Sequence, residues 1–227
     1  MPRTSAAVIE NEYPPVRTIA EQIAEKLRGE IISAELAPGT AIRQSHLASR
    51  YGVSQAPVRE ALGQLASEEL VEYHTNRGVR VAELRKSHAL EIASLRILIE
   101  TDLVFRSVGG FTKSDKDAAM AAITATASAT TIVEKLAADD VFHLAIYRPA
   151  GRPVTLDVVQ RLRARYVQYL GYMWKHTDHA PASLDDHRKL LQLMKAGKGE
   201  QAASFLRRHI EASTRAIVSC MDDNGIL

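Results

Sequence analysis

From Thr18 to Ile32 the apolar side chains Ile19, Ile23, Leu27 and Ile31 recur every fourth residue, the spacing of one helical face. Pro38-Gly39 then interrupts the pattern as a turn. A short second helix fits Gln44 to Tyr51, with Leu47 and Ala48 inward and Gly52 where a left-handed residue ends a helix. Ser54 stands where it would cap a third helix. Pro57 falls in that helix's first turn, where a missing N–H costs little, and Val58, Leu62 and Leu65 share its apolar face. After Leu70 the period shortens to two. Val71, Tyr73, Val79 and Val81 alternate about His74-Thr75-Asn76-Arg77-Gly78, which predicts a two-stranded hairpin turning at Asn-Arg-Gly. Beyond Ser87 only helical stripes remain, predicting helices near 88–107, 113–127, 131–148, 154–176, 182–196 and 199–221. Their poorest helix former is the Thr-rich stretch Thr124 to Thr131. The expected fold class is mainly α: three helices plus a β-hairpin, then an all-helical bundle of about six helices. The chain divides into a tail at 1–14, a first domain at 15–84 and a second at 87–222.

Composition narrows the class without naming a function. A chain of 227 residues with 46% hydrophobic and 25% charged side chains is neither disordered nor collagen-like. The longest uncharged run, Ala118 to Val133, is sixteen residues long. A membrane span needs roughly 20 mostly apolar residues, so no membrane partner is expected. The amino terminus lacks the apolar core of a secretory signal, and a cytoplasmic protein is expected. The single cysteine, Cys220, cannot form an internal disulfide or a cysteine-rich zinc site, so any metal must be held by His, Asp or Glu.

A net charge of +2 is too small to announce a polyanion partner, but its distribution is informative. The first 84 residues hold nine basic and eleven acidic side chains, a net of −2. Yet Arg43 to Arg59 contains three arginines and no acid, and Tyr73 to Ala82 two arginines and no acid. Helix, tight turn, helix and hairpin is the order of a winged helix-turn-helix, whose second helix enters the major groove of DNA. Those acid-free segments are the ones that would meet it. Each residue also has a plainer role: Arg59 pairs with Glu60 or Glu68, Gly78 only turns the chain, and Arg77 and Arg80 are solvated.

The runs Pro38-Gly39-Thr40, Leu47-Ala48, Gly52-Val53-Ser54-Gln55-Ala56-Pro57-Val58-Arg59-Glu60-Ala61-Leu62, Leu70-Val71 and Asn76-Arg77-Gly78 resemble the GntR family of bacterial transcription regulators. The resemblance spans about residues 15 to 84. It implies that Arg59 contacts DNA with Ser54 and Gln55 nearby and that Arg77-Gly78 places the wing in the minor groove; Arg43, which opens the acid-free segment, is expected on the same surface. Three positions depart from the family pattern: Gln55 for Arg, Ala56 for Thr, and Ser45 for Arg. Glutamine reads adenine through paired hydrogen bonds where arginine favours guanine, so a shifted operator is expected.

In the second domain, polar residues interrupt apolar stripes. Ile132, Leu136, Asp139, His143 and Ile146 share one helical face, as do Leu184, His187, Leu191 and Met194, and as do Phe205, His209, Ser213 and Ile217. Three imidazoles and a carboxylate suit a divalent ion, zinc first, with nickel, iron or manganese as alternatives. Against this, a lone core histidine is commonly bonded to backbone, Asp139 could pair with Lys135, Asp140 is a rival carboxylate, and His176 and His179 lie near a helix end. Asp139-Asp140-Val141-Phe142-His143, Asp186-His187 and Arg207-Arg208-His209-Ile210 resemble the FCD ligand-binding domain of FadR-type GntR regulators over about 88 to 221. That likeness implies a metal held by Asp139, His143, His187 and His209. It also allows Arg96, four residues before Glu100, either a salt bridge or a grip on an effector carboxylate. Arg152 departs from a common Asn.

Together the resemblances imply a homodimeric repressor that binds a double-stranded DNA operator with an inverted repeat and answers to a small carboxylic acid at a metal site. Rival readings are a metal-free acyl-ligand regulator, a metal sensor and a metal-dependent enzyme. Against an enzyme, no second acid or base is spaced for catalysis and no HExxH run is present.

Overall fold

The computed structural model describes residues 17–75, 78–177 and 180–226. The predicted turn residues Asn76 and Arg77, the tail before Arg17, and His179 lie outside them. The first helix, α1 (Ile19–Ile32), begins in a capping box: Glu21 N–H donates to the Thr18 hydroxyl at 3.1 Å and Thr18 N–H donates to the Glu21 carboxylate at 2.7 Å. β1 (Ala41–Ile42) follows, then α2 (Gln44–Tyr51), which ends at Gly52 with φ of 65°. α3 (Gln55–Ser67) starts from Ser54, but the Ser54 side chain makes no capping hydrogen bond. A capping serine accepts from the second or third helical N–H, and the third residue is Pro57, which has none. The Ala56 N–H remains, but the exposed Ser54 side chain makes no hydrogen bond to it.

β2 (Val71–His74) and β3 (Gly78–Val81) form the expected hairpin, with Val71 opposite Val81 and Tyr73 opposite Val79. β1 adds to β3 on its other side, placing Ala41 opposite Arg80 and Ile42 opposite Val79, so the sheet has three strands in the order β1-β3-β2. Two residues are too few to display alternation, which is why the sequence pattern predicted only the hairpin. Ile23, Leu27 and Ile31 of α1 pack with Leu47, Val58, Leu62, Leu65 and Val79 in one core.

Six further helices follow: α4 (Lys86–Ser107), α5 (Lys113–Ser128), α6 (Ile132–Tyr147), α7 (Pro153–His176), α8 (Ala180–Lys195) and α9 (Gly199–Asp223). The Thr-rich stretch is where α5 ends, and Thr131 then caps α6 in a box with Glu134. α4 pairs along α9 and α5 along α6, around a second core built from Leu103, Phe142, Ile146, Tyr166, Leu190, Leu206 and Ile217. Among the described residues no helix is long and apolar enough to cross a membrane. The buried polar side chains Arg96, Glu100, Asp139, His143, Arg163 and His187 all lie in this helical domain.

Candidate metal centre and nucleic-acid interface

The three polar interruptions predicted on separate stripes converge. α6 contributes His143, α8 His187 and α9 His209, and one ring nitrogen from each lies within 4.8 Å of the others. His143 and His187 are buried and His209 is half-buried. Asp139, one turn before His143, places Oδ1 3.4 Å from His187 Nε2 and Oδ2 3.8 Å from His143 Nε2. With metal–ligand bonds of roughly 2.0–2.2 Å, donors around one tetrahedral ion stand about 3.4 Å apart, a distance that Asp139 and His187 meet and that the imidazole nitrogens, within 4.8 Å of one another, approach. His209 Nδ1 sits 2.9 Å from Asp186 Oδ2, and a carboxylate behind an imidazole fixes which nitrogen faces the metal. Phe142 stacks on His187 at 4.3 Å and holds its plane.

The electrostatics favour neutral, lone-pair-bearing imidazoles at His143 and His187. Burial pushes His187 down to about 4 against the opposing pull of Asp139. Burial, then the nearby Arg163 guanidinium, pushes His143 well below the ordinary histidine value. Lys135 is not the partner of Asp139, and Asp140 turns to Arg163.

Arg163 is the site residue that the sequence search missed. From α7 its Nε donates to Asp140 Oδ1 at 2.6 Å, its Nη2 donates to Asp139 Oδ2 at 3.0 Å, and its Nη1 lies 3.7 Å from Glu100 Oε2. The signal was present, because Arg163 interrupts the stripe Val159, Tyr166 and Met173 just as the histidines interrupt theirs. A guanidinium on an apolar stripe marks a buried charge in the same way as an acid or an imidazole does. Arg96 is buried too, donating from Nε to Glu100 Oε1 at 2.6 Å and from Nη2 to Oε2 at 3.4 Å, with its guanidinium 4.7 Å over the Tyr166 ring. The i, i+4 salt bridge is therefore formed, inside the domain rather than on its surface. Tyr147 O–H donates to Glu100 and lies 2.9 Å from His143 Nδ1, tying the histidines to this network. Glu100 is wholly buried, which favours protonation, but Arg96 and Arg163 outweigh that and hold its carboxyl below the usual range.

The winged domain arranges its cations differently. Arg17 pairs with Glu25, Arg28 with Glu68 and Arg50 with Glu30, and Arg80 Nη1 donates to the Gly39 carbonyl at 2.9 Å. Among the described residues Arg43 and Arg59 have no ion pair, and both are exposed, as are Ser54 and Gln55. Glu68 is taken by Arg28 and does not serve Arg59. Gly78 opens β3 with φ of 77°, a left-handed value that glycine adopts without strain. An exposed guanidinium without an acid partner, beside a helix amino terminus, is free to meet phosphate or a base edge.

Comparison with known proteins gives this geometry a context. The profile described as bacterial regulatory proteins, gntR family, matches residues 19–81, and that of the FCD domain matches residues 91–212. The chain is 28% identical over 209 residues to the HTH-type transcriptional repressor GlaR of Escherichia coli K12, covering 87% of this chain and 95% of that protein. It is 36% identical over 87 residues to the gluconate operon transcriptional repressor of Bacillus subtilis 168, covering 38% of this chain and 35% of that one. Among solved structures, a GntR family regulator from Pseudomonas syringae pv. tomato is 29% identical with a TM-score of 0.55, covering 92% of this chain and 90% of that one. Escherichia coli McbR/YncC shares the fold, with a TM-score of 0.72 at 22% identity over 90% of this chain and 99% of that one.

Proposed function

The chain belongs to the gntR family of bacterial regulatory proteins and carries its FCD domain, a DNA-binding transcription regulator rather than an enzyme, and from that premise we propose that its DNA affinity is governed by a divalent-metal site in the helical domain. Residues 15–84 are the reader and residues 87–222 the sensor and dimerising domain. Asp139, His143, His187 and His209 hold the ion, zinc by preference among borderline divalent metals. The observation that carries this reading is the meeting of three imidazole nitrogens within 4.8 Å beside Asp139. When bound, the ion supplies a Lewis-acidic position for an oxygen of a small carboxylic acid. Arg96 is the effector-binding residue in this reading, and a carboxylate effector would compete with Glu100 for its guanidinium.

Two readers in a homodimer would grip an inverted repeat, with Arg43, Ser54, Gln55, Arg59, Arg77 and Gly78 facing DNA. Relatives named as repressors support repression as the output. Elemental analysis of protein purified without a metal-affinity tag tests the site. About one ion per chain is expected in wild type, lost in His187→Ala and in Asp139→Ala. Wild-type protein that stays metal-free after incubation with zinc, nickel and manganese would refute the metal site. Selection from a randomised site tests the reader: Gln55→Arg should change the preferred base at one position in each half-site, and an unchanged preference would remove Gln55 from the interface.

A further inference from the structure

α7 touches both the candidate metal centre and the reader. Toward the centre it presents Arg163, bound to Asp139 and Asp140. Eight residues further on, about 12 Å along a helix, it lies against the carboxyl end of α1. There Gly171 packs so closely that a Cβ on it would sit 1.8 Å from the Ile32 carbonyl oxygen, and that obstacle is backbone rather than a flexible side chain. Around this contact Lys175 Nζ donates to the Ala34 carbonyl at 2.7 Å, where the chain turns with φ of 56°. Gln168 Nε2 donates to the Ala82 carbonyl at 3.4 Å, Tyr169 O–H reaches the Arg85 backbone at 3.4 Å, and Arg165 pairs with Glu69. One rigid helix thus grips α1, α3's end and the linker before α4.

At the other end, Arg163 shares Asp139 with any ion the histidines hold. Its Nη2 is bonded to Asp139 Oδ2, the oxygen nearest His143 Nε2. A divalent cation placed there repels the guanidinium and draws on the same carboxylate, and in a buried site such terms are far stronger than in water. An anionic effector would act in the opposite sense. The seat of Arg163 therefore depends on the charge of the centre.

We propose that α7 is the coupling element of the regulator: the charge held at the histidines resets Arg163, and the helix passes that shift to the reader through the Gly171–Ile32 backbone contact. This rests on the metal reading above. Hydrogen exchange on the full chain, zinc-free and zinc-loaded, tests it without needing the operator or the effector. In wild type, zinc should change exchange in residues 30–36 and 82–86 by a factor of about five, the low end of ordinary site-to-site coupling. Gly171→Ala should bind zinc with the same stoichiometry and lose that distant response, and Lys175→Met should weaken it. Zinc binding in wild type with changes confined to α6, α8 and α9 would overturn the coupling and spare the metal site, as would a full distant response in Gly171→Ala. No zinc binding in wild type would remove the metal site and the coupling with it. Should Gly171→Ala fail to melt cooperatively, Lys175→Met decides, and an unaltered distant response there counts against the proposal.

Discussion

In the winged domain Arg43 and Arg59, without an ion pair among the described residues, stand exposed as Ser54 and Gln55 do, whereas in the helical domain Arg96 and Arg163 are buried and each binds carboxylates. The two arrangements follow from two solvents. A guanidinium in water pays no desolvation cost, contributes little to folding, and stays available to a phosphate backbone. A guanidinium inside a helical bundle is tolerable only with compensating charge, so Arg163 is engaged by three acids and stability becomes tied to the site. An exposed arginine of the first domain can therefore be changed without disturbing a core, and a buried arginine of the second cannot.

Removing a buried partner should show this most strongly. Arg163→Met leaves Glu100, Asp139 and Asp140 short of positive charge, and a loss of about 3–5 kcal/mol is expected in denaturant unfolding of the zinc-free protein. A loss below about 1 kcal/mol would mean that water reaches the network and that the contrast between the domains is overstated.

Acid should act through the same network. Because the folded state holds the Glu100 carboxyl below its ordinary 4.5, its contribution is present above that pH and is lost as pH falls through the lower folded value. Glu100→Gln should be less stable near neutrality and lose less stability on acidification than wild type. Parallel pH profiles of the two proteins would show that Glu100 carries no acid sensitivity.

The outward-facing counterpart is Arg59→Ala. Operator affinity should fall by about 1–3 kcal/mol while the melting temperature barely moves, since surface changes away from special features stay within roughly 0.5 kcal/mol. A matching loss of stability would place Arg59 in the structural scaffold instead.

Behind the proposed ligand set, Asp186→Asn should weaken zinc binding about 10–100-fold through the loosened His209 ring, read by competition with a chelating dye. The smallest effect is expected from Gly52→Ala in the winged domain. No atom crowds a Cβ there, so its cost is the left-handed φ of 65° alone, about 1 kcal/mol, with metal binding unchanged.

Local rules made much of the molecule legible. The four-residue spacing of Ile19, Ile23, Leu27 and Ile31, the helix stop at Gly52 and the stripes carrying His143, His187 and His209 each follow from a few neighbouring residues, and each element formed as expected. Resemblance supplied the step from those stripes to one shared ion. The misses have a different origin. β1 is too short to carry a pattern and exists because β3 offers it an edge. Ser54 reads as a cap, yet Pro57 withholds the N–H it would accept.

Periodicity and turn chemistry thus determined which segments are helices, which faces are buried and which apolar stripes carry an imidazole, because those depend on contacts within a turn or two of chain. Tertiary structure alone decided that Arg163 stands behind Asp139, that Arg28 takes Glu68 from Arg59, and that Gly171 meets Ile32 backbone to backbone. These depend on which helices lie side by side and on how buried charges find partners across 24, 40 and 139 residues of chain, distances over which no local pattern carries information.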